Sequence, residues 1–112
     1  MIGRSVIDKQ GARNIAEYKQ RWNETKNVDF LRAMKNAIGM LLSHKRKDLL
    51  DALVSRGVLN GYAIDRNLHL YPIRLTPREL NLFGADPSAV DWDAERRSIE
   101  QYESIQHPAV NR

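Results

Sequence analysis

Two apolar stripes at helical spacing fill the first half of the chain and leave little choice about what that half becomes. Gly11, Ile15, Tyr18 and Trp22 fall at i, i+4, i+7 and i+11, one side of a helix covering residues 8 to 25. Asp8 is the expected cap, because a carboxylate can accept from the free amides of a first turn. After Asn27 and Asp29, either of which can cap, Leu31, Met34, Ile38, Leu41 and Leu42 repeat the pattern on a wider face. Gly39 within that stripe costs about 1 kcal/mol against alanine, so close helix packing is expected there.

Ser43, His44, Lys45, Arg46 and Lys47 then interrupt the stripe before Leu49, Leu50, Leu53 and Val54 restore it. Gly57 stands where a left-handed terminator belongs. Two arrangements fit. One helix runs from Asp29 to Arg56 with an exposed basic turn, or two helices meet at Ser43 or His44 with the basic residues opening the second. Positive charge in a first turn opposes the helix macrodipole, so local physics leans towards the continuous helix unless an anionic partner is present.

Beyond Gly57 the period changes to two. Tyr62 and Ile64, Leu68 and Leu70, then Ile73 and Leu75 alternate, with Asp65, Arg66 and Asn67 as turn chemistry. A short hairpin is expected, its second strand confined to an edge by Pro72. Thr76, Pro77, Arg78 and Glu79 form a capping box with proline at the first helical position. That short helix carries Leu80, Leu82 and Phe83 as far as Gly84. A last helix opens at Asp86 and Pro87, or at Asp91 before Trp92, and places Trp92, Ile99 and Tyr102 on one face. The expected class is α+β, mostly helical: two or three N-terminal helices, a small antiparallel β-hairpin, a short capped helix and a C-terminal helix. At 112 residues these elements make one domain, residues 1 to 112.

Composition removes whole classes of function. The chain has no cysteine, which excludes disulfide frameworks, thiolate zinc sites and iron–sulfur clusters and suits the cytoplasm or another reducing compartment. Its longest apolar runs fall far short of the ~20 residues that cross a bilayer, so no membrane partner is expected. His44, His69 and His107 are too far apart for a metal site, and His44 with Asp48 four residues on reads as a surface contact. The carboxylates Asp91, Asp93, Glu95, Glu100 and Glu103 read as a solvated helix face pairing with Arg96 and Arg97. The glycines are scattered, so no phosphate-cradling loop is visible. No catalytic residue, metal or cofactor is expected, and the chain does not read as an enzyme. Tyr18, Trp22, Trp92 and Tyr102 follow the apolar stripes and read as core; Tyr62 and Tyr71 are the better candidates for base stacking.

Charge supplies the sharpest functional signal. The net charge of +4 divides into 12 Lys and Arg against 6 acids up to Gly57, and 6 against 8 beyond it. A basic half attracts polyanions through counterion release. Within it, His44, Lys45, Arg46 and Lys47 project around most of a helical turn, a natural phosphate track.

The run from Lys47 to Leu59, followed by a hairpin with Asp65 and Arg66 at its turn and then Leu70, Ile73, Arg74, Leu75 and Thr76, resembles the recognition helix and wing of winged-helix DNA-binding domains. It is most similar to regulators of the multiple-antibiotic-resistance type, in which a leucine-rich helix ends at Arg-Gly and the wing carries Asp-Arg. The resemblance implies that Lys45, Arg46, Lys47 and Arg56 face a duplex and that Arg66 reaches the minor groove or a phosphate. Two functions follow as expectations. The first is a small non-enzymatic nucleic-acid-binding protein, for DNA or RNA, using Lys45, Arg46, Lys47, Arg56 and Arg66. The second is a protein-interaction module, with a protein partner or a homo-oligomer. Neutralisation of these cationic side chains by the carboxylates downstream would remove the case for gripping a phosphate backbone and make the second the better reading.

Overall fold

The computed structural model describes residues 3–66 and 72–106. Its elements in chain order are α1 (Arg4–Thr25), α2 (Asp29–Ser43), α3 (Lys47–Ser55), α4 (Pro77–Leu82), a single 3-10 turn (Pro87–Ala89) and α5 (Trp92–Gln106). The apolar stripes do what their spacing requires. Ile15 and Trp22 of α1, Leu31, Met34, Ile38 and Leu41 of α2, and Leu50 and Leu53 of α3 are buried in one cluster with Leu59, Ile64, Leu80 and Phe83. Each such side chain contributes about 1.5–3 kcal/mol by leaving water. Tyr18 and Trp92 pack against this cluster partly buried, so Tyr18, Trp22 and Trp92 are packing residues.

The first helix begins earlier than its sequence suggests. Gly3 is its extended N-cap and makes no side-chain cap bond. Asp8, expected as the cap, instead lies inside α1 and is buried. Seven residues before Ile15, it occupies the same inward stripe. Lys26 ends α1 in a left-handed conformation, with its ammonium 5.2 Å from the Trp22 ring centroid.

The stretch from Asp29 to Arg56 is two helices. The α2 C-terminus closes with the Arg46 amide donating to Leu41 O at 2.8 Å and the Lys45 amide to Leu42 O at 3.0 Å. These are the paired bonds of a Schellman motif, which requires a left-handed residue between them. Lys45 is that residue, at φ 59. The same bonds end α3, where the Val58 amide donates to Leu53 O and the Gly57 amide to Val54 O, both at 3.0 Å. There the left-handed position, φ 78, is held by the expected Gly57.

The α+β expectation is overturned: the described residues contain no strand, and the fold is helical. Residues 61–66 and 72–76 are irregular; Leu68, Leu70 and Tyr71 of the expected hairpin lie outside the described residues. The alternation at 62–64 and 73–75 failed as a guide because side chains, not a neighbouring strand, satisfy this backbone. Arg78 Nη1 donates to Ala63 O at 2.7 Å, the Asp65 amide to Glu79 Oε2 at 2.8 Å, and Arg32 Nε to Ile73 O at 3.1 Å; Lys35 Nζ donates to Arg74 O. A backbone so satisfied needs no ladder.

Lys35 and Glu79 hold this arrangement together. Their ion pair spans 3.0 Å with side chains 1% and 0% exposed. The capping box predicted at Thr76 forms in full: the Glu79 amide donates to Thr76 Oγ1 at 3.2 Å and the Thr76 amide to Glu79 Oε1 at 3.0 Å. One carboxylate thus caps α4, anchors the 60s segment and neutralises α2's buried lysine. At the far end, Asp91 Oδ1 accepts from the Ala94 amide and opens α5. Arg32 of α2 pairs with Glu95, and Arg74 with Glu103, so two carboxylates expected on a solvated face dock α5 instead. Arg96 does pair with Asp93 and Glu100.

Candidate nucleic-acid interface

The break between α2 and α3 gathers most of the cationic residues singled out by the sequence. Lys45 and Lys47 are exposed and make no ion pair among the described residues. Arg66 comes to them from the 60s segment, its Nη2 donating to Ser43 Oγ at 2.9 Å. Three cations from two parts of the chain therefore meet at the α2 C-terminus and the α3 N-terminus. Arg66, expected at a wing tip, is fixed here because the segment carrying it lies against α2.

Two other members of the cluster are engaged internally. His44 Nδ1 is 2.6 Å from Asp8 Oδ1, and Arg46 Nη1 is 3.5 Å from Asp8 Oδ2. Arg46 also donates to Asp48 from Nε at 3.0 Å and from Nη2 at 2.9 Å. The hydrogen bond from Arg46 holds the Asp48 carboxyl below the ordinary aspartate range, and the same bond raises the guanidinium. The sequence paired His44 with Asp48; the structure pairs it with Asp8 across the α1–α2 contact. Among the described residues, Asp8 Oδ2 is buried without a hydrogen bond, and the nearby Arg46 guanidinium compensates its charge.

Arg56 is exposed at the opposite end of α3. Nine residues of helix separate it from the turn, about 13 Å at 1.5 Å per residue, so it belongs to a different patch. Tyr62, a candidate for base stacking, is half-buried and donates its hydroxyl to Asp51. That bond raises the phenol above its ordinary range. Tyr71, His69 and His107 lie outside the described residues.

Local electrostatics make the turn suited to an anion. The α3 N-terminus has no side-chain cap, so the positive end of its dipole adds to Lys45, Lys47 and Arg66. Asp48 in the first turn offsets part of this charge but is itself held by Arg46. The signal that could have found Asp8 and Lys35 is their position: each is a charged residue on an inward stripe, where burial demands a partner. The partners lie 36 and 44 residues away, and no local pattern names them.

Among the described residues, no group of three or more His, Asp or Glu could hold a metal ion, and no helix is long and apolar enough to cross a membrane. No protein-family model, curated protein or solved structure matches the chain.

Proposed function

We propose that this protein binds the phosphate backbone of a nucleic acid at the α2–α3 turn, with Lys45, Lys47 and Arg66 as the phosphate ligands and no catalytic step. The observation that carries the reading is the Arg66–Ser43 hydrogen bond, 2.9 Å, which adds a third cation to a turn already holding two lysines that make no ion pair among the described residues. The α3 N-terminus adds the positive end of its dipole to these cations, and Asp48 in its first turn offsets part of that charge. Lys45 supports the same reading, since it occupies a left-handed position that glycine fills at lower cost.

Arg46 is a structural residue in this account, because Asp8 and Asp48 already occupy its guanidinium. Its role is to brace the turn. Arg56 lies outside the patch. Phosphate contacts of this kind position a partner without reading its bases, so the reading covers DNA and RNA alike.

The test is fluorescence anisotropy with labelled duplex DNA, duplex RNA and single strands at low salt. Binding by the wild type, lost in the Lys45→Ala/Lys47→Ala/Arg66→Ala variant and kept in Arg56→Ala, is the expected pattern. Equal binding by the wild type and the triple variant overturns it. A second reading, a protein-interaction module, is favoured by one specific observation: Val6, Ile7 and Met40 are large apolar side chains left 57%, 51% and 47% exposed around one groove.

A further inference from the structure

Among the buried residues of α1, Asp8 alone carries a charge. A carboxylate out of water is costly unless it is partnered, and both of its oxygens face the α2–α3 turn. Oδ1 lies 2.6 Å from His44 Nδ1, and Oδ2 lies 3.5 Å from Arg46 Nη1. The Asp8 side chain is 2% exposed, that of His44 25%. The imidazole thus stands with one nitrogen against a buried anion and part of its ring in water.

That contact decides what the other nitrogen can do. A carboxylate only accepts hydrogen bonds, which assigns the ring proton to Nδ1 and leaves Nε2 bare in the neutral form. Among the described residues Nε2 makes no hydrogen bond, and the sole side-chain atom both buried and unpaired is Asp8 Oδ2, so Nε2 meets solvent. A bare Nε2 offers a lone pair, which a phosphate oxygen cannot use. The imidazolium offers an N–H and a positive charge instead. Histidine is the side chain that makes this change between about pH 5 and 8. The charges around the ring come from three sides. Asp8 faces it from α1, with Arg4 one turn nearer the N-terminus. Arg46 and Asp48 pair at the opening of α3, between Lys45 and Lys47 in the one case and just past Lys47 in the other. Arg66 reaches the preceding residue, Ser43, from the 60s segment.

We propose that His44 is a proton-gated phosphate ligand of the α2–α3 turn, oriented by Asp8, which makes the grip on a nucleic acid tighten as the solution is acidified. Its neighbours in the chain support this. Ser43 holds Arg66 on one side, and Lys45 is exposed on the other, so the ring sits between two of the proposed ligands. Asp8 is the positioning residue: it turns Nδ1 inward and so presents Nε2 outward. The inference rests on the phosphate-binding reading of the turn and adds to it a fourth ligand and the condition under which that ligand engages.

The test is anisotropy of the full chain with labelled duplex DNA at about pH 5.5 and pH 8, on either side of the histidine range, each over a series of salt concentrations. The wild type should bind about tenfold more tightly at the lower pH, the scale of one hydrogen bond to a charged group. Its salt slope should deepen from about −2.7 to about −3.6, one further phosphate contact. His44→Gln should keep the alkaline behaviour at both pH values, with helicity by circular dichroism unchanged, and the control His69→Gln/His107→Gln should keep the full response. Nitrogen-15 spectra of the wild-type imidazoles need no substitution: at the higher pH His44 should carry its proton on Nδ1, and at the lower pH added duplex should shift Nε2. A pH response that survives in His44→Gln overturns the proposal, as does a His44 protonated on Nε2 at the higher pH. Equal wild-type affinity at both pH values, still lost in the Lys45→Ala/Lys47→Ala/Arg66→Ala variant, overturns this inference alone. Absence of binding at either pH overturns the phosphate reading and this inference with it.

Discussion

Lys45 and Gly57 occupy the same position in two successive helix-ending turns, each the left-handed residue of a Schellman motif, at φ 59 and φ 78. Glycine takes this conformation without strain, and a side chain raises its energy by about 1–2 kcal/mol. Lys45→Gly should therefore stabilise the fold by about 1 kcal/mol while weakening nucleic-acid binding. Urea unfolding and anisotropy on the same variant check the two opposite signs. A stabilised variant with undiminished binding would reduce Lys45 to an accident of the turn.

Lys35 and Glu79 test the fold itself. Removing one partner of a buried pair leaves an uncompensated charge and is expected to cost about 3–5 kcal/mol. Glu79→Leu should show that loss in urea unfolding, and also the loss of the Thr76 cap. Lys35→Met combined with Glu79→Leu should recover much of it, because two apolar side chains of similar volume leave no charge to compensate.

Asp48 tests the electrostatics of the turn. Its side chain is 64% exposed, so Asp48→Asn should leave the fold intact while removing a negative charge beside Lys47. Affinity for a nucleic acid is expected to rise about threefold, the scale of one charge at several ångströms near water. Binding that falls instead would mean that Asp48 positions Arg46 as a ligand.

The same residue has a pH signature. Its carboxyl titrates below the ordinary range, mainly through the hydrogen bond from Arg46. A depressed carboxyl contributes stability above its unfolded titration range and loses it as pH falls through the folded value. Carboxyl chemical shifts followed by NMR should show Asp48 moving upward in Arg46→Gln. Asp86, depressed first by its bond from the Ser88 backbone amide, should stay where it is.

Much of this fold is legible in the chain, and the failures share one cause. The α2 stripe, the Thr76 box, the Gly57 terminator and the Asp91 cap rest on contacts within a few residues, where spacing fixes geometry. The expected hairpin does not form because the polar groups that satisfy residues 63–65 and 73–74 arrive from Arg32, Lys35, Arg78 and Glu79. Period two describes a strand only when a strand is there to pair with it. The same applies to the candidate site. The basic run at 45–47 is plain in the sequence, but the diversion of Arg46 to Asp8 and Asp48 and the arrival of Arg66 at Ser43 depend on how α1 and the 60s segment pack.

The most direct measurement of the central claim is the salt dependence of binding. Three phosphate contacts predict that the logarithm of the association constant falls against that of salt with a slope of about −2.7 for duplex DNA or about −2.1 for a single strand. Lys45→Ala, Lys47→Ala and Arg66→Ala should each reduce the magnitude by about one unit, and Arg56→Ala should leave it unchanged. A slope that none of the three substitutions alters, or the absence of salt-dependent binding, would contradict the account.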